Sequence, residues 1–262
     1  MAKEYLFDTA SEHGAGHMDH MSAICDPPTV QCLQETGVEA GWRCLDLGAG
    51  GGSITRWLAE RVGPRGRVVA VDLVTEFLDG LPGVEVHRHD INDGLPDEGP
   101  YDLIHARHLL IHLPRREEVL KELVAALAPG GWLVTGDVSA RKNAVLAAPS
   151  HADRELFERM QYLSHEVVAP LGNMRFAWAH EAYGQMAAAG LADVRAREYS
   201  QTMSGGTPGC LLSLNLNLQA EAPLKQAGAT DAELRRYREL MTEPGFEAWF
   251  YQYVCTSGRK PA

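Results

Sequence analysis

The sequence predicts an α/β fold: a doubly wound, mostly parallel sheet of seven strands. Two observations carry the prediction. Short β-branched runs alternate with amphipathic helical stretches across residues 42–137, joined by short turns, as in successive βαβ units. The first strand also runs straight into a glycine cluster that opens a helix, the turn such sheets use at their ligand-binding edge. The chain has 262 residues, 45% of them hydrophobic and 23% charged, enough to bury a full core.

The elements follow in order. Residues 1–40 read as polar helix, interrupted at Pro27-Pro28. Cys44–Leu47 is the first strand. Ile54, Trp57, Leu58 and Val62 then give the next helix its apolar face. Arg67–Val71, Val84–His89 and Asp102–His105 are strands two to four, the second ending in Asp72 and the third in Asp90. Leu109–Leu127 reads as one amphipathic helix, Pro129-Gly130-Gly131 as a turn, and Trp132–Thr135 as the fifth strand. After Asp137 the alternation lapses. Helices are expected at Ala152–Val168 and Glu181–Ala189, then a strand at Val194–Tyr199 and a loop at Gln201–Gly209. Helices at Leu211–Ala227 and Asp231–Met241 and a last strand at Phe246–Thr256 complete the chain.

Composition excludes several classes. The formal charge is −11 and no basic run occurs to neutralise a phosphate backbone, so nucleic acid is not an expected partner. No apolar stretch approaches the roughly 18 residues of a membrane span, and the N-terminal stretch has no apolar secretion core. The five cysteines are scattered without a CxxC pair, which argues against a disulfide framework or zinc ribbon. A reducing, cytoplasmic setting is expected.

The informative segment is Leu45-Asp46-Leu47-Gly48-Ala49-Gly50-Gly51-Gly52-Ser53. Glycines between a strand and a helix let a ligand approach the backbone, and the helix start offers unpaired N–H groups. The dinucleotide pattern GxGxxG fails in both frames, because Ser53 and Thr55 stand where glycine is required. D-x-G-x-G-x-G is present instead. Asp72 follows Gly52 by 20 residues and can accept ribose hydroxyls, and Asp90 can accept from an exocyclic amine. Acids before the glycines and at the ends of strands two and three suit an adenosyl ligand carrying an ammonium. A pyrophosphate would want cations, and only Arg56 is close in sequence.

On those residues, with Val69–Leu73, His89–Ile91, Tyr101–Leu113 and Leu127–Asp137, the chain resembles the class I S-adenosylmethionine-dependent methyltransferases. The stretch Trp42–Ser53 and the tail Gly258-Arg259-Lys260-Pro261 resemble a bacterial subgroup found with antibiotic biosynthesis and secondary metabolism. The resemblance implies a Rossmann-like core at residues 41–138 and an N-terminal helical lid at 1–40. It also implies a helical substrate cap at 139–190, inserted between strands five and six, with 191–262 completing the core. It implies S-adenosyl-L-methionine as cofactor, leaving as S-adenosyl-L-homocysteine, with methyl transfer to an oxygen or nitrogen of a small organic acceptor. Gly48, Ala49 and Gly50 would then pass the methionine portion, and Asp46 would support the loop and the ammonium. Asp72 would hold the ribose with Leu73 against the adenine, and Asp90 and Ile91 would bind the adenine edge. The backbone at Ala106 and Arg107 would meet the methionine end, and Tyr5 and His17 would be lid contacts. Two rivals stay open: a non-methylating use of the same fold, pericyclic or hydrolytic, and a nicotinamide-dependent oxidoreductase.

His108 and His112, beside the expected methyl position, are the candidate catalytic bases, with an ordinary pKa near 6.5 suited to proton transfer. Their spacing of four puts them on one face if the helix has begun. Methyl transfer can also run on alignment alone, without a base. His13, His17 and His20 share a helical face, but solvated lid histidines explain them, and no metal is expected. Met160, Tyr162, Met174, Phe176, Trp178 and Tyr183 combine cap packing with apolar substrate contact, and His165, Glu166, Arg175 and His180 are its polar members. Leu211, Leu212, Leu214, Leu216 and Leu218 make a helix apolar enough for a homodimer contact.

Overall fold

The computed structural model describes residues 12–97 and 99–262. The described elements are helices α1 (Glu12–Glu35), α2 (Ser53–Val62), α3 (Arg116–Ala125), α4 (His151–Tyr162), α5 (Trp178–Ala188), α6 (Pro208–Gln219), α7 (Glu221–Gln226) and α8 (Asp231–Leu240). The strands are β1 (Arg43–Leu47), β2 (Arg67–Asp72), β3 (Val84–Arg88), β4 (Tyr101–Arg107), β5 (Leu127–Val138), β6 (Ala144–Ala147), β7 (Ala192–Ser204) and β8 (Glu247–Arg259).

The chain divides into two compact units. The first, a sheet unit, comprises Asp26–Val138, Ala177–Glu198 and Tyr253–Ala262. Its strands run in the order β3-β2-β1-β4-β5, all parallel, and the later half of β8 then pairs antiparallel with β5 from Trp132↔Arg259 to Val138↔Tyr253. Strand order reverses between β1 and β4, so the carboxyl ends of those strands open a crevice. Leu45, Leu47, Val69, Val71, Ile104, Leu120, Leu123 and Leu133 form its core with Trp178, Ala182 and Met186 of α5. Burying nearly continuous apolar strands on both faces is what holds a parallel sheet.

The second unit comprises the described residues up to Cys25 with Ser139–Phe176 and Tyr199–Gln252. Here the earlier half of β8 pairs antiparallel with β6, Ala144 opposite Trp249. Phe157 stacks on Tyr237 and lies tilted against Phe246, with ring centroids 6.1 and 5.0 Å apart. Strand β7 pairs with β8.

Several expectations are corrected. The strands number eight among the described residues, in a mixed arrangement, rather than seven. The extra strand is β6, whose Ala-Val-Leu-Ala carries almost no β signal and is held by its partner β8. The segment after β5 therefore contains a strand as well as helices. Helix α1 runs through Pro27-Pro28 instead of stopping there. The prolines leave the carbonyls of Ala23 and Ile24 without helical donors, and burial of Ile24, Cys25, Thr29 and Leu33 outweighs that loss. Leu109–Leu127 is not one helix. A 3₁₀ turn spans Leu110–His112, Leu113 is extended, and α3 starts only after Pro114, because the residue before a proline avoids helical backbone. The turn expected at Pro129-Gly130-Gly131 is an irregularity inside β5. Tyr101 pairs with Leu127 and Leu103 with Trp132, so the extra residues bulge out.

Candidate active site

The crevice is built from the first βα turn. Gly48 and Ala49 donate their N–H groups to the carbonyl of Val71 at 2.9 and 3.2 Å, which locks the turn onto the end of β2. The glycines have different duties. Gly52 has φ 74°, and a Cβ there would lie 2.8 Å from Leu78 Cδ2, so it is glycine for packing beneath the turn. Gly50 has φ 53°, and a Cβ there would meet only the Gly48 carbonyl at 4.0 Å. The space above Gly50 is a cradle that a side chain would fill.

Asp72, at the end of β2, faces this turn. One carboxylate oxygen accepts the Gly50 N–H at 2.8 Å and the other the Val74 N–H at 3.0 Å. Each oxygen keeps a lone pair for a further donor. Leu73 beside it is 53% exposed and Phe77 40% exposed, an uncovered apolar pair. Asp90 caps the 3₁₀ turn Ile91–Asp93 by accepting from the Asn92 N–H and Nδ2 at 2.9 Å each, and the next residue, Ile91, is buried in the core cluster.

Asp46 lies behind the turn, 2% exposed. Its Oδ1 pairs with His105 Nδ1 at 2.8 Å and its Oδ2 accepts from the Thr55 hydroxyl at 2.5 Å. Each oxygen accepts one bond inside the protein, so Asp46 braces the loop from behind. The far nitrogen of His105, Nε2, is buried with no hydrogen-bond partner among the described residues.

The end of β4 supplies the other wall. Ala106 is buried. Arg107 Nη1 donates to Asp26 Oδ1 at 2.6 Å and to Thr29 Oγ1 at 3.5 Å. Asp26 Oδ1 also accepts from the Ser53 hydroxyl at 3.1 Å, and Thr29 Oγ1 is 2.8 Å from the Tyr253 hydroxyl. His108 follows in left-handed backbone, φ 50°, its N–H donating to the Gly136 carbonyl at 2.8 Å and its ring edge-on to Tyr253 at 5.6 Å. Such backbone in a non-glycine residue is held by its surroundings.

His112 does not share a face with His108, because the intervening backbone is 3₁₀ after a left-handed residue. Burial, with the Arg116 cation adding, lowers its pKa to about 4. His17 belongs to the second unit, and burial lowers its pKa to about 4 as well. Tyr5 lies outside the described residues. Trp178 is sealed in the sheet unit's core, and Met160 is fully buried, so neither faces a ligand.

Sequence reasoning missed Asp26, Thr29, Ser53 and Tyr253 as site residues. Arg107 meets Asp26 across 81 positions, and Thr29 meets Tyr253 across 224, separations at which spacing carries no signal.

Comparison with known proteins follows the same lines. A family model described as a methyltransferase domain matches residues 17–196. The methyltransferase GfsG of Streptomyces halstedii is 29% identical over 140 residues, covering 47% of this chain and 48% of that protein. The trans-aconitate 2-methyltransferase of Variovorax paradoxus is 34% identical over 110 residues, covering 40% and 42%. The matches thus span less than half the length of these curated relatives. A SAM-dependent methyltransferase from Aquifex aeolicus shares the fold at a TM-score of 0.51 and 16% identity, with 97% of this chain and 98% of that one covered.

Proposed function

The chain belongs to the methyltransferase-domain family, and from that premise we propose that it methylates an oxygen or nitrogen of a small organic acceptor in secondary metabolism, using S-adenosyl-L-methionine. The observation that carries the reading is the turn open above Gly50, fenced by Asp72 and the exposed Leu73. When bound, S-adenosylmethionine supplies an electrophilic methyl on a sulfonium sulfur and is left as S-adenosylhomocysteine.

The chain's own residues then bind and align. Asp72 accepts ribose hydroxyls through its remaining lone pairs. Leu73 and Phe77 cover a face of the adenine, Asp90 takes its exocyclic amine, and Ile91 packs at the ring edge from the core. The backbone of Gly48, Ala49, Gly50 and Ala106 passes the methionine portion. Asp46, buried behind the loop, braces it through its bonds to His105 and Thr55. His108 is the base of this reading, because its strained backbone turns it off the end of β4. His112, with its pKa near 4, is a much weaker proton acceptor and takes a packing role. The segment 1–40, with Tyr5 and His17, serves as lid and 139–190 as substrate cap. Five buried cysteines, none in a disulfide, suit a cytoplasmic enzyme.

The test is calorimetric titration with S-adenosylmethionine and S-adenosylhomocysteine, beside an Asp72→Ala variant. Micromolar binding that weakens at least tenfold in the variant, about 1.4 kcal/mol, is the expected result. Absence of binding to either ligand would sink the reading.

A further inference from the structure

Past Tyr162, the end of α4, the chain continues through a π-helical turn, Leu163–Val168, and a 3₁₀ turn, Ala169–Gly172. The Ala169 N–H reaches back five residues to the Ser164 carbonyl. Pro170, next in line, has no N–H to close an ordinary turn onto Glu166. Leu163 and Val168 are both buried at a spacing of five, so the widened turn keeps each in the packing. Turns of this kind are rare and frequently sit at functional sites.

The widened turn carries His165, whose ring lies tilted against Phe176, centroids 4.6 Å apart. Both residues belong to the second unit. His165 makes no hydrogen bond and no ion pair among the described residues, and burial alone lowers its pKa to about 4. Glu166 and Arg175 are exposed and add nothing to that shift. The ring is half-buried rather than sealed, and Tyr162 and Leu171, just before and just after the turn, are 59% and 58% exposed, so the turn is reachable. His165 is therefore a neutral imidazole with one N–H to give and one lone pair to fill, beside an aromatic ring.

We infer that His165 and Phe176 form a specificity subsite for a phenolic hydroxyl on the acceptor, the imidazole holding the O–H and Phe176 lying against the ring that bears it. A hydroxyl is donor and acceptor at once, and so matches an imidazole that offers one of each. A carboxylate or an ammonium would bring a charge into a desolvated place with no counter-ion, which is costly. An aromatic ring gains an edge or offset contact with Phe176 that a chain alcohol lacks. The inference rests on the methyl-transfer reading above and narrows its acceptor to a phenol. It makes His165 a specificity residue and leaves the base where that reading puts it.

The test uses phenol, anisole and benzoate as probes, titrated into the full chain while the His165 ring is followed by proton–carbon NMR. The signal is assigned by its loss in His165→Phe. Phenol is expected to shift that signal and to bind more tightly than benzoate or anisole, which lacks the O–H. In His165→Phe, phenol should weaken about fivefold, the worth of one neutral hydrogen bond, while anisole stays within twofold. His165→Gln, which restores a donor and an acceptor, should recover the preference for phenol. Retained binding of S-adenosylhomocysteine reports that both variants are folded. Equal binding of phenol and anisole, a stationary His165 signal, or a phenol preference that survives in His165→Phe overturns the inference and leaves the methyl-transfer reading standing. Failure of the unaltered chain to bind S-adenosylhomocysteine overturns that reading, whatever phenol does.

Discussion

His105 is where residue chemistry and stability meet most directly. Its Nδ1 satisfies one oxygen of a carboxylate that water cannot reach. Replacing it by leucine would strip Asp46 of that partner, and breaking one side of a buried pair costs about 3–5 kcal/mol. We expect His105→Leu to lower unfolding stability by that order in urea titrations. Adding Asp46→Asn, which removes the charge, should recover part of it. Asp46 itself was legible because an acid two residues before a glycine turn is a local pattern. Its imidazole partner lies 59 positions away, and nothing in the spacing marks His105 over its neighbours His108 and His112. The same limit hid Asp26, which stands out in the sequence only as the residue before two prolines.

Elements were legible in proportion to how locally they are determined. The strands β1 and β2 declare themselves, the first by a short apolar run and the second by a β-branched run, and α8 closes its first turn with a capping box. There Thr230 accepts from the Glu233 N–H, and the Glu233 side chain returns to the Thr230 N–H. Thr230→Ala should cost about 1 kcal/mol, read as a shift in urea midpoint at constant slope. Where neighbours decide, the sequence misleads. Pro114 splits an amphipathic stretch whose period is otherwise helical. Pro27-Pro28 fails to split α1, because packing of that helix outweighs local propensity. The predicted Leu211–Ala227 helix is two, α6 and α7, parted at Ala220. In α6, Ser213, Asn215 and Asn217 are buried together with Gly209, Cys210 and Leu212, while Leu211, Leu214, Leu216 and Leu218 are half-exposed. Ser213 is 2.6 Å from the Tyr237 hydroxyl and Asn217 accepts from Arg238. No reading based on apolar periodicity could have oriented that helix.

At the scale of the whole molecule, acid should act through histidines held neutral. His17, His112 and His165 each have a pKa lowered to about 4, burial being the first cause in all three. Unfolded, they would titrate near 6.5. Between those values the unfolded chain binds more protons than the folded one, so stability is full above about pH 6.5 and falls as pH drops toward 4. Each contributes roughly 1.4 kcal/mol per pH unit in that window. Thermal midpoints should therefore drop between pH 7 and pH 5, and His165→Phe, which keeps the ring against Phe176, should flatten the dependence. An unchanged slope would show that other groups govern it.

Each unit is assembled from three separate stretches of chain. The sheet unit receives its sixth strand, the later half of β8, only from Tyr253 onward, and the Thr29 hydroxyl has waited 224 positions for its tyrosine. At a ribosome adding about 5–20 residues each second, β5 stays an uncovered edge for several seconds after it has emerged, a period in which an unpaired strand can recruit a foreign one. Birth order thus makes completion of the sheet unit a late closure, since contacts so remote in sequence form slowly.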